Sequence, residues 1–390
     1  MLESGQPSRV DSWPLDEGPL SSHLRWWLKT LSPTGRDKFS ARLLFWLRTS
    51  KIAMTTSVVT LLVGISDVAV SRSMHEASVP VTLSLGVYSS VFAHVLFVKR
   101  LPALLQTVAL LLATTAGVER HLDSASQKRM RRTARRGSLF CRQLVLFSVC
   151  LMLQFPAVYA LTNDPQWSLR WIYRLHADST DNSLYWLHWA AFMEQAFGLV
   201  CSFTAFYTML PLVIVIYSTC ADLHAALAHR MQTAACCPHD AALQSGVLRA
   251  CIVADSALAD LMPHLLVVSI IMPLFSTAEL IASGLKLGAY SLGTAAPILI
   301  VFVPLCEVGD RLSRARRGVA ESAAEGPWVE ERPKQRQLRL AVMQAAMGEG
   351  AFLRGSGIGP LDRATCGNAL RSWFSFLQVI LNVQRKAGVH

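Results

Sequence analysis

Runs of about 20 mostly apolar residues between charged flanks recur along this chain, and each is long enough, at 1.5 Å per residue, to cross the hydrocarbon of a bilayer as a helix. With 52% hydrophobic and only 16% charged residues over 390 positions, and a mean hydropathy of +0.36, the composition is not that of an ordinary soluble domain. The chain reads as an all-α, polytopic membrane protein. Its expected spans are 52–70, 79–98, 139–161, 191–217, 262–281, 287–308 and 365–384, seven in all. No charged segment followed by a short apolar run and a small-residue cleavage site opens the sequence, so the first span is expected to act as its own insertion signal.

Residues 101–118 pose the main topological question, being uncharged and long enough to span. A dense basic run follows them: Arg120, Lys128, Arg129, Arg131, Arg132, Arg135 and Arg136. Were 101–118 to cross, that run would lie opposite the basic N-terminal segment. The segment is therefore expected to continue the helix of span two on the cytoplasmic side, packing an apolar face on protein. The N-terminal segment and the loops 99–137, 218–261 and 309–364 together hold about 29 of the 37 Lys and Arg, and the remaining loops and tail about 6. Positive charge marks the inner side, which predicts a cytoplasmic N-terminus and an extracellular C-terminus. The net charge of +11 is thus a matter of membrane orientation, and no nucleic-acid partner is expected.

The chain divides into a cytoplasmic tail and membrane-surface segment (1–51), a six-span helical bundle (52–308), cytoplasmic helices (309–364), a last membrane helix (365–384) and a short extracellular tail (385–390). Residues 1–23 read as a disordered tail. In 24–46, aromatics and leucines alternate with Arg25, Lys29, Arg36, Lys38 and Arg42, a pattern suited either to lying on a membrane surface or to a solvated basic face beside a juxtamembrane anchor. The aromatic loop 162–189 suits an interfacial belt or a ligand contact. The nine cysteines fall mostly in spans or at their inner ends, which argues against a disulfide framework. Cys236, Cys237 and His239 cluster without a fourth ligand at zinc spacing, so no metal is expected. Neither cofactor nor enzymatic activity is expected, because Asp67, His94, Glu194 and Glu279 are scattered over different spans rather than convergent.

The last span is the one that carries polar residues in a pattern. Asn368, Ser372, Ser375, Gln378 and Asn382 follow one another at steps of four, three, three and four, one stripe on a helix. Amides left in lipid cost several kcal/mol by rough transfer estimates. The stripe must face water, as a pore lining does, or another polar helix, as packing glue does. If it lines a pore, several copies must meet around an axis, since one striped helix cannot enclose water.

Gly359, Pro360, Leu361, Asp362 and Arg363, leading into this span, resemble the segment before the last helix of arthropod gustatory receptors, relatives of the insect odorant receptors. That family's last helix carries Thr-Tyr, five apolar residues, then Gln-Phe. Here Ser375 and Phe376 stand at the first pair, LQVIL between, and Asn382 and Val383 at the second, each differing from the consensus. The resemblance extends to seven spans, a cytoplasmic N-terminus, a long helical loop before span seven and a short tail.

It implies a chemosensory receptor that is a ligand-gated, non-selective cation channel, a homo- or hetero-tetramer in the plasma membrane of sensory neurons. Its partners would be a small-molecule tastant, permeating cations and membrane lipid. Ser375, Gln378 and Asn382 would face the lumen, with Asn382 and Val383 near an outer gate. The ligand would bind in the outer half of the first six spans, where outward-running spans present Tyr159, Phe275 and Glu279 and inward-running ones Tyr88, Glu194, Gln195, Phe197 and Tyr290. The alternatives are a G-protein-coupled seven-helix receptor, opposed by the charge-derived orientation, and a membrane transporter, opposed by the lack of an internal repeat with broken helices.

Overall fold

The structure is a computed structural model that describes residues 18–33, 39–71, 74–119, 127–128, 130–140, 142–143, 146, 183–282, 298–348, 354–355 and 359–386. Most of the expected span 139–161, the first part of span 287–308 and the aromatic loop up to 182 lie outside the described residues. The described chain is almost entirely helical: α1 (Pro19–Leu31), α2 (Phe39–Thr49), α3 (Lys51–Val70), α4 (Met74–Glu119), α5 (Ser183–Thr233), α6 (Pro238–Leu258), α7 (Leu261–Ala282), a π-helical turn (Ile298–Phe302) running into α8 (Val303–Glu325), α9 (Pro333–Met347) and α10 (Arg363–Lys386). Residues 130–140 are also helical. A two-residue antiparallel pairing, β1 (Arg354–Gly355) with β2 (Gly359–Pro360), immediately precedes α10.

Two helices set the architecture. α4 has 46 residues and α5 has 51, so at 1.5 Å per residue they extend about 70 Å or more, over twice the ~30 Å of bilayer hydrocarbon. Residues 101–118 run on from the second expected span without a break. They bury Leu104, Thr107, Val108, Leu111, Thr115 and Val118, the packed apolar continuation that the sequence led us to expect. Among the described residues four helical segments are long and apolar enough to cross a membrane: Lys51–Val70, Ser84–Glu119, Thr204–Thr233 and Pro238–Leu258. The apolar window of Thr204–Thr233 is 94% buried inside the protein, because α5 is the pillar against which α3, α4, α6 and α8 all pack. Apolarity there serves the core, with Val213, Ile216, Cys220 and Leu223 at zero exposure.

Near the other end of α5 the close approach of α3 depends on small residues. A Cβ on Gly198 would come within 1.8 Å of the Thr60 hydroxyl oxygen, and one on Gly64 within 2.5 Å of that of Ser84 in α4. Small residues let membrane helices approach closely enough to gain dispersion contacts that lipid cannot match.

The amino-terminal region corrects one expectation. The disordered tail expected through residue 23 gives way to helix at Pro19, and α1 buries Leu20, Leu24, Trp27 and Leu31 against the protein, chiefly α4. Its open N-terminus receives the Glu119 carboxylate, which accepts from the amides of Leu20 (3.0 Å) and Ser21 (3.3 Å) and from the Ser21 hydroxyl. Unpaired amides and the positive end of the helix dipole favour an acid there. Gly18 is required by the approach, since a Cβ would lie 2.2 Å from that carboxylate. α2 keeps Phe39, Leu43 and Trp46 exposed.

A candidate pore helix and its anchorage

α10 spans 24 residues, about 36 Å, and touches the rest of the protein through α7 and α8. Ala369, Leu370, Trp373, Leu377 and Ile380 are half-buried, whereas Asn368, Ser372, Ser375, Gln378 and Asn382 are all exposed. At 3.6 residues per turn the two sets point in opposite directions. The polar stripe is therefore turned directly away from the subunit's own bundle, and among the described residues its side chains are not used to glue α10 to its neighbours. Ser375 instead donates back to the Arg371 carbonyl at 3.0 Å. Apolar side chains flank the stripe and are also exposed, Phe374 at 58% and Leu381 on one side and Phe376 at 43% on the other, and Val379, 59% exposed, lies within it, pointing between the directions of Asn368 and Ser372. The Val383 side chain lies outside the described residues.

The structure adds a residue that the stripe as first read omitted. Arg371 is exposed and sits three residues after Asn368 and four before Ser375, so it points along the same face. The spacing was visible in the sequence, but the arginine is hidden there by its neighbour Ser372, which also fits the repeat.

The Gly359–Arg363 segment forms the junction that holds α10 in place. Leu361 is buried and presses on α8, where a Cβ at Gly309 would come 2.0 Å from the Leu361 carbonyl oxygen. Asp362 caps α10, accepting from the Thr365 amide at 2.7 Å, and the Thr365 hydroxyl donates to the Pro360 carbonyl at 2.8 Å. Arg363 forks onto Glu307 of α8 (2.9 and 2.7 Å) and reaches Asp310 at 3.4 Å. The bidentate geometry fixes direction; the partners are half-exposed, so the pair adds little stability.

Below the junction, Arg339 of α9 is fully buried with Glu331. Its guanidinium also donates to the carbonyls of Ala234 (2.9 Å), Met231 (2.5 Å) and Ala323 (3.4 Å). It thereby ties the last turns of α5 and α8 to α9. Glu331 accepts in addition from the Cys236 amide at 2.6 Å. Burial alone would raise its carboxyl, but the Arg339 and Cys236 hydrogen bonds outweigh that and hold it below the ordinary range. Burial pushes the Cys236 thiol up to about 11. Among the described residues no cluster of three or more His, Cys, Asp or Glu is placed to hold a metal ion.

The expected ligand residues fall into separate places. Tyr88 of α4 is 43% exposed and stands with Phe92 beside the His264 ring of α7 (5.8 Å between the Tyr88 and His264 centroids). Glu194 of α5 accepts from the Thr60 hydroxyl of α3 at 3.2 Å, on another interface. Phe197 and Phe275, each 42% exposed, project from α5 and α7. The side chains of Gln195 and Glu279, and Tyr159 and Tyr290 altogether, lie outside the described residues. The structure thus brings Tyr88 together with Phe92 and His264, which the sequence did not single out, while Glu194 meets Thr60 of α3.

No protein-family model and no curated protein matches this chain. Solved structures do match it: the insect olfactory receptor OR5 from Machilis hrabei, free (TM-score 0.70) and in complex with eugenol (TM-score 0.69). The chain shares that receptor's fold. In both comparisons the identity is 13%, over 93% of this chain and 99% of the receptor, so the correspondence is of architecture over nearly the whole length. It is the fold that the resemblance to the insect chemoreceptors implies.

Proposed function

We propose that this protein is a chemosensory receptor of the gustatory type, working as a ligand-gated, non-selective cation channel in the plasma membrane. The observation that carries the reading is α10. A helix at the edge of the subunit holds on by one apolar face and turns a full-length polar stripe outward, and such a stripe has no place in lipid. Four copies meeting around an axis would enclose Asn368, Ser372, Ser375, Gln378 and Asn382 as a water-filled lining, with Phe374, Leu381 and Phe376 at the contacts between copies. Asn382 and Val383 then stand at the outer gate. The neutral amides of Gln378 and Asn382 offer ion coordination without fixed charge, which suits low selectivity, while Arg371 places one positive charge per subunit on the same face, nearer the start of the helix.

The accompanying topology has seven spans, a cytoplasmic N-terminus and an extracellular C-terminus. The bundle 52–308 takes the ligand, 309–364 anchors the subunit, 365–384 lines the pore and 385–390 is the outer tail. Tyr88, Tyr159, Glu194, Gln195, Phe197, Phe275, Glu279 and Tyr290 are proposed as ligand contacts. The structural relative was solved with eugenol, and aromatics with a few acids suit a small organic tastant of similar size.

The test is a tastant-evoked current from cells expressing this chain. Tyr88→Ala, Glu279→Ala and Tyr290→Ala should shift agonist sensitivity while surface expression holds. Reconstituted protein that passes no cation current with any tastant, or unchanged dose responses in all three variants, would reject the reading or the ligand site respectively.

A further inference from the structure

A cavity of about 170 Å³ lies where four segments converge: Leu20 and His23 of α1, Thr133 to Phe140 of the helical stretch 130–140, Ile214 to Thr219 of α5, and Arg311 of α8. Its lining is of mixed character: Leu20, Ala134, Phe140, Ile214 and Val215 are apolar, while Arg136, Arg311, Ser218 and Thr219 bring charge and hydroxyls. Thr219 is completely buried, yet its hydroxyl has no hydrogen-bond partner among the described residues, nor does His23 Nε2. Buried polar groups are rarely left so, because an unmade bond costs about 1–3 kcal/mol. The charge balance is positive: Arg311 is paired with Asp222 and donates to the Thr133 hydroxyl at 3.0 Å. Burial lowers the pKa of His23, so it adds no charge at neutral pH, and exposed Arg136 supplies the excess.

The cavity's level is fixed by its walls. Phe140 lies at the start of the expected span 139–161, Ile214 and Val215 in the last turn of 191–217, and Arg311 just past 287–308. All three are ends that the basic loops assign to the cytoplasmic side. A phosphate ester bearing an apolar tail matches this lining at this level, and its headgroup must be compact, since the volume equals that of only a few waters at ~30 Å³ each. We infer that the cavity is a binding site for an anionic phospholipid of the cytoplasmic leaflet. Its phosphate meets Arg136, Arg311 and the Thr219 hydroxyl, and the start of an acyl chain lies on Phe140 and Val215. The leaflet rests on the seven-span orientation proposed above; the binding itself does not require that the protein conduct ions.

The test uses the full chain in nanodiscs of phosphatidylcholine, titrated with phosphatidic acid that carries a photoreactive group near the glycerol end of one chain. Bound lipid is counted by native mass spectrometry and adducts are mapped by peptide sequencing. Adducts on peptides containing Phe140 or Val215 are expected. Arg136→Gln should weaken binding about tenfold or more, the loss of one charge-assisted bond, and Thr219→Val, nearly isosteric, should weaken it measurably. Arg135→Gln, an equal charge change on an exposed neighbour outside the lining, should leave it unchanged. Equal loss in the Arg135 and Arg136 variants would mean general surface attraction and overturn the proposal, as would adducts elsewhere or equal retention of phosphatidylcholine. Displacement of the lipid by millimolar inorganic phosphate would assign the site to a soluble anion instead and overturn it too.

Discussion

Removing Arg339 should loosen the helical base on which the candidate pore helix stands. The guanidinium and the Glu331 carboxylate are both at 0% exposure, and Arg339 additionally satisfies carbonyls at the ends of α5 and α8. Arg339→Met keeps much of the volume but leaves Glu331 buried with the single amide of Cys236, and Met231 and Ala234 lose their donor. Breaking a buried pair from one side costs about 3–5 kcal/mol, whereas replacing both partners by apolar groups is often close to neutral. The expected order is therefore wild type, then Arg339→Met/Glu331→Leu, which removes the unpaired carboxylate but still leaves the carbonyls and the Cys236 amide unmet, then Arg339→Met well below. At about 2–4 °C per kcal/mol, the single variant should melt about 6–20 °C earlier, read as loss of the folded-protein peak by fluorescence-detected size exclusion after heating. A single variant as stable as wild type, or a double variant equal to the single, would refute the claim that this pair ties α5, α8 and α9 together.

Three other outcomes follow from the same geometry. Glu331 has a folded pKa below its unfolded value of about 4.3, so its contribution is fully present above that value and is lost as pH falls through the lowered one; melting followed from pH 7 to pH 3 should show no Glu331-dependent loss above about pH 4.5, with Glu331→Gln as the comparison. Arg371 lies on the outward stripe, so Arg371→Gln should raise single-channel cation conductance and Asn382→Asp should raise divalent permeability by adding a ring of negative charge; unchanged currents in both would take the stripe out of the ion path. Gly309→Ala should impair gating more than stability, because its Cβ would displace the Leu361 carbonyl at a cost of about 1–3 kcal/mol, and a dose response identical to wild type would show that the junction is slack.

Legibility in the sequence followed the range of the interactions concerned. The α10 stripe was readable because a 3.6-residue period is local, and the unbroken helix through 101–118 because the charge that follows it favoured a continuation of span two over a separate crossing. The docking of α1 was not, since it depends on Glu119 meeting the amides of Leu20 and Ser21 about a hundred residues away in the chain. The apolar run Thr204–Thr233 was equally ambiguous, because a lipid-facing helix and a core pillar have the same composition. The ligand residues were chosen by depth along each span, which says nothing of the direction in which a side chain points. Tyr88 therefore meets His264 while Glu194 meets Thr60.

Cysteine scanning from Asn368 to Val383 under a tastant-evoked current tests the pore assignment most directly. Thiol reagents should modify current at Asn368, Arg371, Ser375, Gln378 and Asn382, with helical periodicity, and leave it unchanged at Leu370, Trp373, Leu377 and Ile380, which face the subunit's own bundle. Modification without that period, or confined to the packed face, would contradict a pore lined by α10.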